Sequence, residues 1–305
     1  MLMAMELDHV EAFVAIAKHG GFTRASSVLN LSQPAISRRV HLLEHELGAT
    51  LFDRLRTGVV VNEAGRAFLP HAEALLASMR DGVDAVNALR GTDAGVVTLA
   101  VVGTLASTSL TERLSRFRDA HRAVDLRLCT ALSVEVSALV SCGEAALGLR
   151  YERDPDPHLV STVVHHESLI PVCSTRHRLA RSARVPPRAL AGERWLAFPA
   201  RLTAAREPYT TTLAERLAAN GLSAADVVHI DSLTAQKRMV EAGFGLALLP
   251  ESSVAEELRA GTLRVLKVSG MRATVPVVLL HRRRAFQSGA TKALVKLLTD
   301  WRGSE

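Results

Sequence analysis

The stretch from Thr23 to Leu47 constrains the fold more than any other part of the chain. It reads as two short helices and a tight connection. The first, Thr23 to Leu29, is expected to start on Thr23, whose hydroxyl can cap free N–H groups. Asn30 and Leu31 interrupt the pattern. Ser32-Gln33-Pro34 restarts it, with Ser32 as cap and Pro34 in the first turn, where a missing N–H costs nothing. Ile36, Val40, Leu43 and Leu47 then recur at helical spacing as one apolar stripe. Gln33, Ser37, Arg38 and His41 lie opposite it, short or forked groups that suit base edges and phosphates. A helix-turn-helix needs this division, with one side locked in a small core and the other free for a major groove. An ordinary amphipathic helix pair shares the pattern, so the stretch alone leaves both readings open.

Its surroundings narrow the choice. Leu7 to Lys18 reads as a preceding helix, with Leu7, Val10, Phe13, Val14 and Ala17 at core spacing, ended by Gly20-Gly21. Gly48 stops the later helix. Leu51-Phe52 fills the core, and a turn from Asp53 to Gly58 leads into a short strand, Val59 to Val61. This wing carries Arg54 and Arg56 toward backbone phosphates or a minor groove. Asn62 then caps a long helix bearing Leu69, Ala72, Leu75 or Leu76, Met79, Val83, Val86 and Leu89 at near-heptad spacing. So narrow a seam calls for a partner, either a second copy or the chain's own domain. Pro70 removes one backbone bond and is expected to bend this helix. Gly91 to Gly95 reads as a hinge.

Phe13 to Ala17, Gly20 to Ala25, Leu31 to Arg38, Leu47-Gly48, Leu51 to Arg54 and Asn62 to Gly65 follow one another in an order and spacing that closely resembles the N-terminal winged helix of LysR-type transcriptional regulators. That family usually has Thr where Asn62 stands, and Asn caps at least as well. The resemblance implies that Gln33, Pro34 and Arg38 approach bases. A forked Arg suits guanine and Gln suits adenine, each good pair contributing roughly 1–3 kcal/mol of discrimination. Thr23, Ser32, Ser37, Arg54 and Arg56 read as phosphate positioners, and Arg24 joins the DNA-facing set. Arg39 reads equally well as a solvated helix residue.

The chain's 305 residues imply at least two domains, and 48% apolar with 22% charged residues is ordinary for a soluble globular protein. The N-terminus lacks a signal-like apolar run, and no segment approaches the ~20 residues of a membrane span. A cytoplasmic location is expected. Cys129, Cys142 and Cys173 have no CxxC spacing, which fits buried thiols in a reducing compartment. The net charge of +6 misleads as a sign of DNA binding, because residues 1–62 hold six basic and six acidic groups. Much of the surplus lies beyond residue 150, in an Arg-rich stretch and near the C-terminus. DNA affinity must then come from a few arginines placed on one face.

From Val96 the hydrophobic period changes. Strands Val96 to Val102, Val124 to Leu128 and Ala145 to Leu149 alternate with helices Thr108 to His121 and Val134 to Val140, which implies a parallel sheet covered by helices. Leu159 to Val164 and Glu167 to Cys173 continue as extended segments. A second unit has strands Trp195 to Phe198, Val227 to Ile230 and Leu246 to Leu249, with helices from about Thr210 to Asn220 and from Ser232 to Glu241. Val275 to Leu280 and Thr291 to Trp301 return to the first. Leu169 to Val172 and Val240 to Pro250 resemble the effector-binding half of the same regulator family, whose two lobes clamp a small molecule as solute-binding proteins do. Ala146 stands where the family commonly has Asp, so that strand is expected to be arranged differently.

The expected architecture is α/β overall. A mostly α winged helix-turn-helix spans 1–62, a linker and dimerisation helix 63–91, and a two-lobed α/β domain of the periplasmic-binding-protein type 95–305. Lobe I covers about 95–165 and 271–305, lobe II about 166–270. Seam residues Leu75, Met79, Val83 and Val86 are the candidates for self-association as a dimer or tetramer. Ligands of open α/β sheets sit at strand carboxyl ends, facing helix N-termini. Thr104, Ser107, Ser133, Arg150, Thr203, Ser232 and Thr234 would line that rim, and hydroxyls with one forked cation suit an organic acid. Each Ser or Thr can equally be a helix cap, and Arg150 can pair with Glu152 or Asp154. No Gly-x-Ser-x-Gly elbow or phosphate-cradling loop is present, and Gly243-Phe244-Gly245 reads as a helix stop. His165, His166 and Glu167 alternate across a strand and make a poor metal site. The expected partners are duplex DNA, a small effector and the chain itself, without cofactor, metal, membrane or catalysis. A solute-binding module, or an enzyme with an accessory helical domain, is the alternative.

Overall fold

The computed structural model describes residues 5–55, 58–88, 95–106, 108–199 and 208–301. The chain divides into two compact units, the first built on residues 1–92 and the second on most of the remainder.

In the first unit α1 (Leu7–His19), α2 (Phe22–Leu29) and α3 (Gln33–Leu47) are followed by strands β1 (Phe52–Leu55) and β2 (Gly58–Val61) and the long helix α4 (Glu63–Ala88). Ile36, Val40 and Leu43 of α3 are buried, the first two against Ala12, Ile16 and Ala25, the third with Val10, Phe13 and Leu51. Phe13 sits between Phe52 and Phe68, at centroid distances of 5.4 and 5.5 Å. Ser32 caps α3 by accepting the Ala35 N–H at 3.3 Å, and Gly48 ends it in the left-handed region.

Two local expectations are corrected. Helix α2 begins at Phe22, one residue early, because the Gly21 carbonyl already accepts the Ala25 N–H at 3.1 Å. Thr23 therefore lies inside the first turn and does not cap it. The wing is a full hairpin rather than a turn and one strand: β1 pairs antiparallel with β2, with Arg54 opposite Val59. Asn62 does cap α4, accepting the Gly65 N–H at 2.9 Å while its amide donates to the Thr50 carbonyl. The helix continues through Pro70. Leu69, Ala72 and Leu76 pack on the first unit's core, whereas Leu75, Met79, Val83 and Val86 are exposed by 45–56%. Leu89 and the expected hinge at 91–94 lie outside the described residues.

The second unit runs β3 (Gly95–Val102), α5 (Thr108–Ala120), β4 (Val124–Ala131), α6 (Ser133–Ser141), β5 (Leu147–Tyr151), β6 (Leu159–Ser174), β7 (Arg194–Ala197), α7 (Pro208–Ala219), β8 (Asp226–His229), α8 (Leu233–Glu241), β9 (Leu246–Pro250), α9 (Ala255–Ala260), β10 (Leu263–Val265), β11 (Ala273–Arg282) and α10 (Gly289–Thr299). One sheet orders them β4-β3-β5-β11-β6-β9-β7-β8, with β10 alongside β6. The two extended segments expected around His165 are a single 16-residue strand, β6. Its register to β11 shifts between Val277 and Val278, where Val164 is the extra residue, so the strand bends without breaking.

Register fixes how the lobes face. Strand β5 runs parallel to β6, with Tyr151 and His165 both opposite Val277 of β11. Strand β9 runs antiparallel to β6, with Pro250 opposite Leu169. The parallel trio β3, β4, β5 and the parallel trio β7, β8, β9 therefore both point their carboxyl ends at residues 165–169 of β6.

Candidate functional site

On the first unit the exposed side of α3 carries Ser32, Gln33, Pro34 and Arg38, with Ser37 half-buried beside them. Gln33 and Arg38 make no side-chain hydrogen bond among the described residues, so their donors are free for an external partner. Arg39 is not simply solvated: it donates to Asp8 of α1 at 2.6 Å. Glu44 accepts the Leu51 N–H at 2.7 Å and ties the helix to the wing. Arg24 donates to the His19 carbonyl at 3.2 Å, capping the C-terminus of α1. Thr23 is exposed, and its carbonyl accepts the Ser26 and Ser27 hydroxyls at 2.8 and 3.2 Å. The Arg54 side chain and Arg56 lie outside the described residues.

At the carboxyl ends of β3 to β5, Thr104 stands in a 3-10 turn rather than at the start of α5, its hydroxyl 2.9 Å from that of Tyr151. Both are buried. Ser133, 1% exposed, is the first residue of α6. Arg150 is buried: it donates to the Ser137 hydroxyl at 2.6 Å and the Tyr151 carbonyl at 3.1 Å, and pairs with Asp154. Its Nη2 makes no hydrogen bond among the described residues. On the facing edge, Ser232 caps α8 through the Ala235 N–H at 3.3 Å and Thr234 is exposed in its first turn. Ser107 and Thr203 lie outside the described residues.

Sequence reasoning passed over Gln236, and weighed Glu167 only as a poor metal ligand beside His165 and His166. Gln236, fully buried in α8, donates to the Ile230 carbonyl at 2.7 Å while its Oε1 has no partner among the described residues. Glu167 of β6 accepts from the Ser252 hydroxyl at 2.8 Å, and burial pushes its pKa up against that bond. Gln236 belongs to no motif, and only the pairing of β6 with β9 brings Glu167 to the rim.

Other chemistry finds little support. Among the described residues no group of three His, Cys, Asp or Glu could hold a metal ion, and no helix is long and apolar enough to cross a membrane. Burial raises the pKa of the Cys142 thiol and pushes that of Cys173 up to about 11, so neither is a ready thiolate nucleophile.

Comparison with known proteins agrees with this geometry. Residues 7–66 match the bacterial regulatory helix-turn-helix of the lysR family, and residues 90–303 match the LysR substrate binding domain. The transcriptional regulator CfxR of Cupriavidus necator is 29% identical over 272 residues, 88% of this chain and 83% of that protein. Two solved structures show the same fold. Full-length CbnR complexed with its target DNA has a TM-score of 0.64 at 22% identity, covering 96% of this chain and 99% of that one. A full-length OxyR variant from Pseudomonas aeruginosa has a TM-score of 0.70 at 18% identity, covering 97% of each. The chain belongs to the LysR family of DNA-binding transcriptional regulators, with a helix-turn-helix at one end and an effector-binding domain at the other.

Proposed function

We propose that the effector is a small organic acid, held between the two sets of strand ends and read by the Arg150 fork with Thr104, Ser133 and the N-terminus of α8. The observation that carries this reading is the buried Arg150 guanidinium at the carboxyl end of β5, one nitrogen of which makes no bond among the described residues. Ser107 and Thr203 complete the proposed rim. Residues 1–62 form the DNA-reading domain, 63–91 the linker and 95–305 the effector domain. The exposed Leu75, Met79, Val83 and Val86 of the linker meet a second copy, and dimers pair into tetramers. Each dimer reads an interrupted palindrome, with Gln33, Pro34 and Arg38 at bases and Thr23, Arg24, Ser32, Ser37, Arg54 and Arg56 toward phosphates. Acting on DNA, the protein works in the cytoplasm. Effector binding changes how the dimers hold DNA, and linkage requires operator binding to change effector affinity by the same factor.

Footprinting upstream of the protein's own gene, with and without aliphatic and aromatic carboxylates, tests the reading. Protection that changes with one class of acid supports it, and protection indifferent to all of them removes the organic acid. On the DNA side, Arg38→Ala is expected to flatten sequence preference. Arg54→Ala is expected to weaken all sequences alike and reduce the salt slope. The reverse pattern would reject that division of labour.

A further inference from the structure

The charge of this chain is not where its DNA-reading helices are. Residues 1–62 are formally neutral, whereas residues 174–194 hold Arg176, Arg178, Arg181, Arg184, Arg188 and Arg194 against Glu193 alone. That segment carries a formal +5 of the chain's +6. It is the excursion between β6 and β7, and the fold holds it firmly. Leu179, Val185 and Leu190 are buried anchors. The Val185 N–H donates to the Lys267 carbonyl at 3.0 Å, and bonds from Ala180 to His177 and from Ser182 to Leu179 close successive turns. A 3-10 turn, Pro187–Leu190, finishes the excursion. All six arginines between and around these anchors are exposed.

Few of them are neutralised. Glu193 is occupied by Arg178 at 2.6 Å and His177 at 3.1 Å, and Arg194 pairs with Asp226 at 2.7 Å. Arg176, Arg181, Arg184 and Arg188 meet no acid and make no side-chain hydrogen bond among the described residues. Exposed Lys267 adds a cation next to Val185. Like charges gathered on ordered backbone repel one another unless a polyanion covers them. None of the large apolar side chains exposed among the described residues falls between 174 and 194. A protein partner would want such anchors at the centre of its interface, whereas a phosphate backbone needs only forked cations.

We infer that this arginine-bearing excursion of lobe II is a second, sequence-independent contact with duplex DNA, engaging phosphates outside the bases read by α3. It rests on the protein's binding of DNA and adds a surface to it. The excursion supplies the long-range attraction that the neutral reading domain lacks, and its contribution requires DNA beyond the operator core.

The test compares the full-length protein with a triple variant, Arg181→Gln, Arg184→Gln and Arg188→Gln. A charge-matched control carries Arg116→Gln, Arg118→Gln and Arg122→Gln on and after α5. Affinity is measured over a salt series for one operator in two duplexes, trimmed to the protected core or extended by about two helical turns on each side. On the extended duplex the excursion variant is expected to bind at least about tenfold more weakly, with a log–log salt slope shallower by about 2 to 3, since each phosphate contact contributes about 0.9. On the trimmed duplex it should match the parent. The control should match the parent on both, and Arg→Lys at the same three positions should keep the parental slope. Parental affinity and slope on the extended duplex, as expected if the excursion served an acidic protein, overturn the proposal. So does equal weakening by the control, or an equal loss on the trimmed duplex. A parent protein that ignores both duplexes would remove operator reading itself, and the proposal with it.

Discussion

Arg150 and Asp154 form an ion pair in which each side chain is only 10% exposed, at the carboxyl end of β5 where the effector is proposed to bind. Removing one partner strands a buried charge, so Arg150→Ala is expected to cost about 3 kcal/mol or more of stability. Loss of effector response in that variant would confound binding with unfolding. The double variant Arg150→Met with Asp154→Leu replaces the pair by apolar groups and is expected to hold stability within about 1 kcal/mol. Urea midpoints check the stabilities, and operator affinity against carboxylate concentration checks the response. A double variant that still answers to carboxylates would clear Arg150 of the reading role.

Two glycines of α4 should respond oppositely to the same substitution. A Cβ on Gly65 would meet the Leu51 carbonyl oxygen and Val61 Cγ1, the latter at 2.7 Å, because α4 starts hard against the wing. Gly65→Ala is expected to destabilise the first unit by about 3 kcal/mol, with weaker binding to all DNA sequences. A Cβ on Gly82 meets nothing within 4 Å, and the residue is exposed in the helix interior. Gly82→Ala should stabilise by about 0.5–1 kcal/mol. Denaturant titrations of the two variants decide both signs.

The seam on α4 gives a separate test of assembly. Met79 and Val83 are half exposed and contribute little to the packing of the first unit. Met79→Glu with Val83→Glu is expected to shift the protein toward monomer at micromolar concentration, because like charges would then face one another across a narrow apolar seam. Sedimentation velocity reads the change. An unaltered oligomer would move self-association to another surface.

Much of this was legible in the sequence because local chemistry fixed it. Ser32, Pro34 and Gly48 bound α3 from within a single turn at each end, and Asn62 does the same for α4. The apolar strands of the second unit, and the alternating Val124, Leu126 and Leu128, were equally readable, to within a few residues. What escaped was decided at a distance. Gly21 starts α2 through its carbonyl alone, which no side-chain pattern announces. Strand β10 is three residues long and exists only because β6 offers it an edge. His165 and His166 look like a break between two strands, yet pairing with β11 carries β6 straight through them. At the site, Arg150 was visible as a strand-ending cation. The Ser137 hydroxyl that holds it lies 13 residues back and reaches it only through the sheet.

The last prediction concerns acid sensitivity at the C-terminus. His165 stacks on Trp301 with ring centroids 5.2 Å apart and planes 4° from parallel, and the Arg113 guanidinium lies 5.6 Å from the Trp301 ring. Burial, then the charges of His166 and Arg113, hold the His165 pKa below its ordinary 6.5. The unfolded chain therefore takes up this proton more readily than the folded one. Stability from the neutral ring is complete above about 6.5 and is lost as pH falls through that value toward the lower folded pKa. Glu167 acts with the opposite sign, since burial raises its pKa and acidification relieves the cost of its charge. In a Glu167→Gln background, the urea midpoint should thus fall as pH drops from about 7.5 to about 5.5. Adding His165→Phe keeps an aromatic ring against Trp301 and removes the proton, so the decline should flatten. An undiminished decline in the Phe variant would assign the acid sensitivity to other groups.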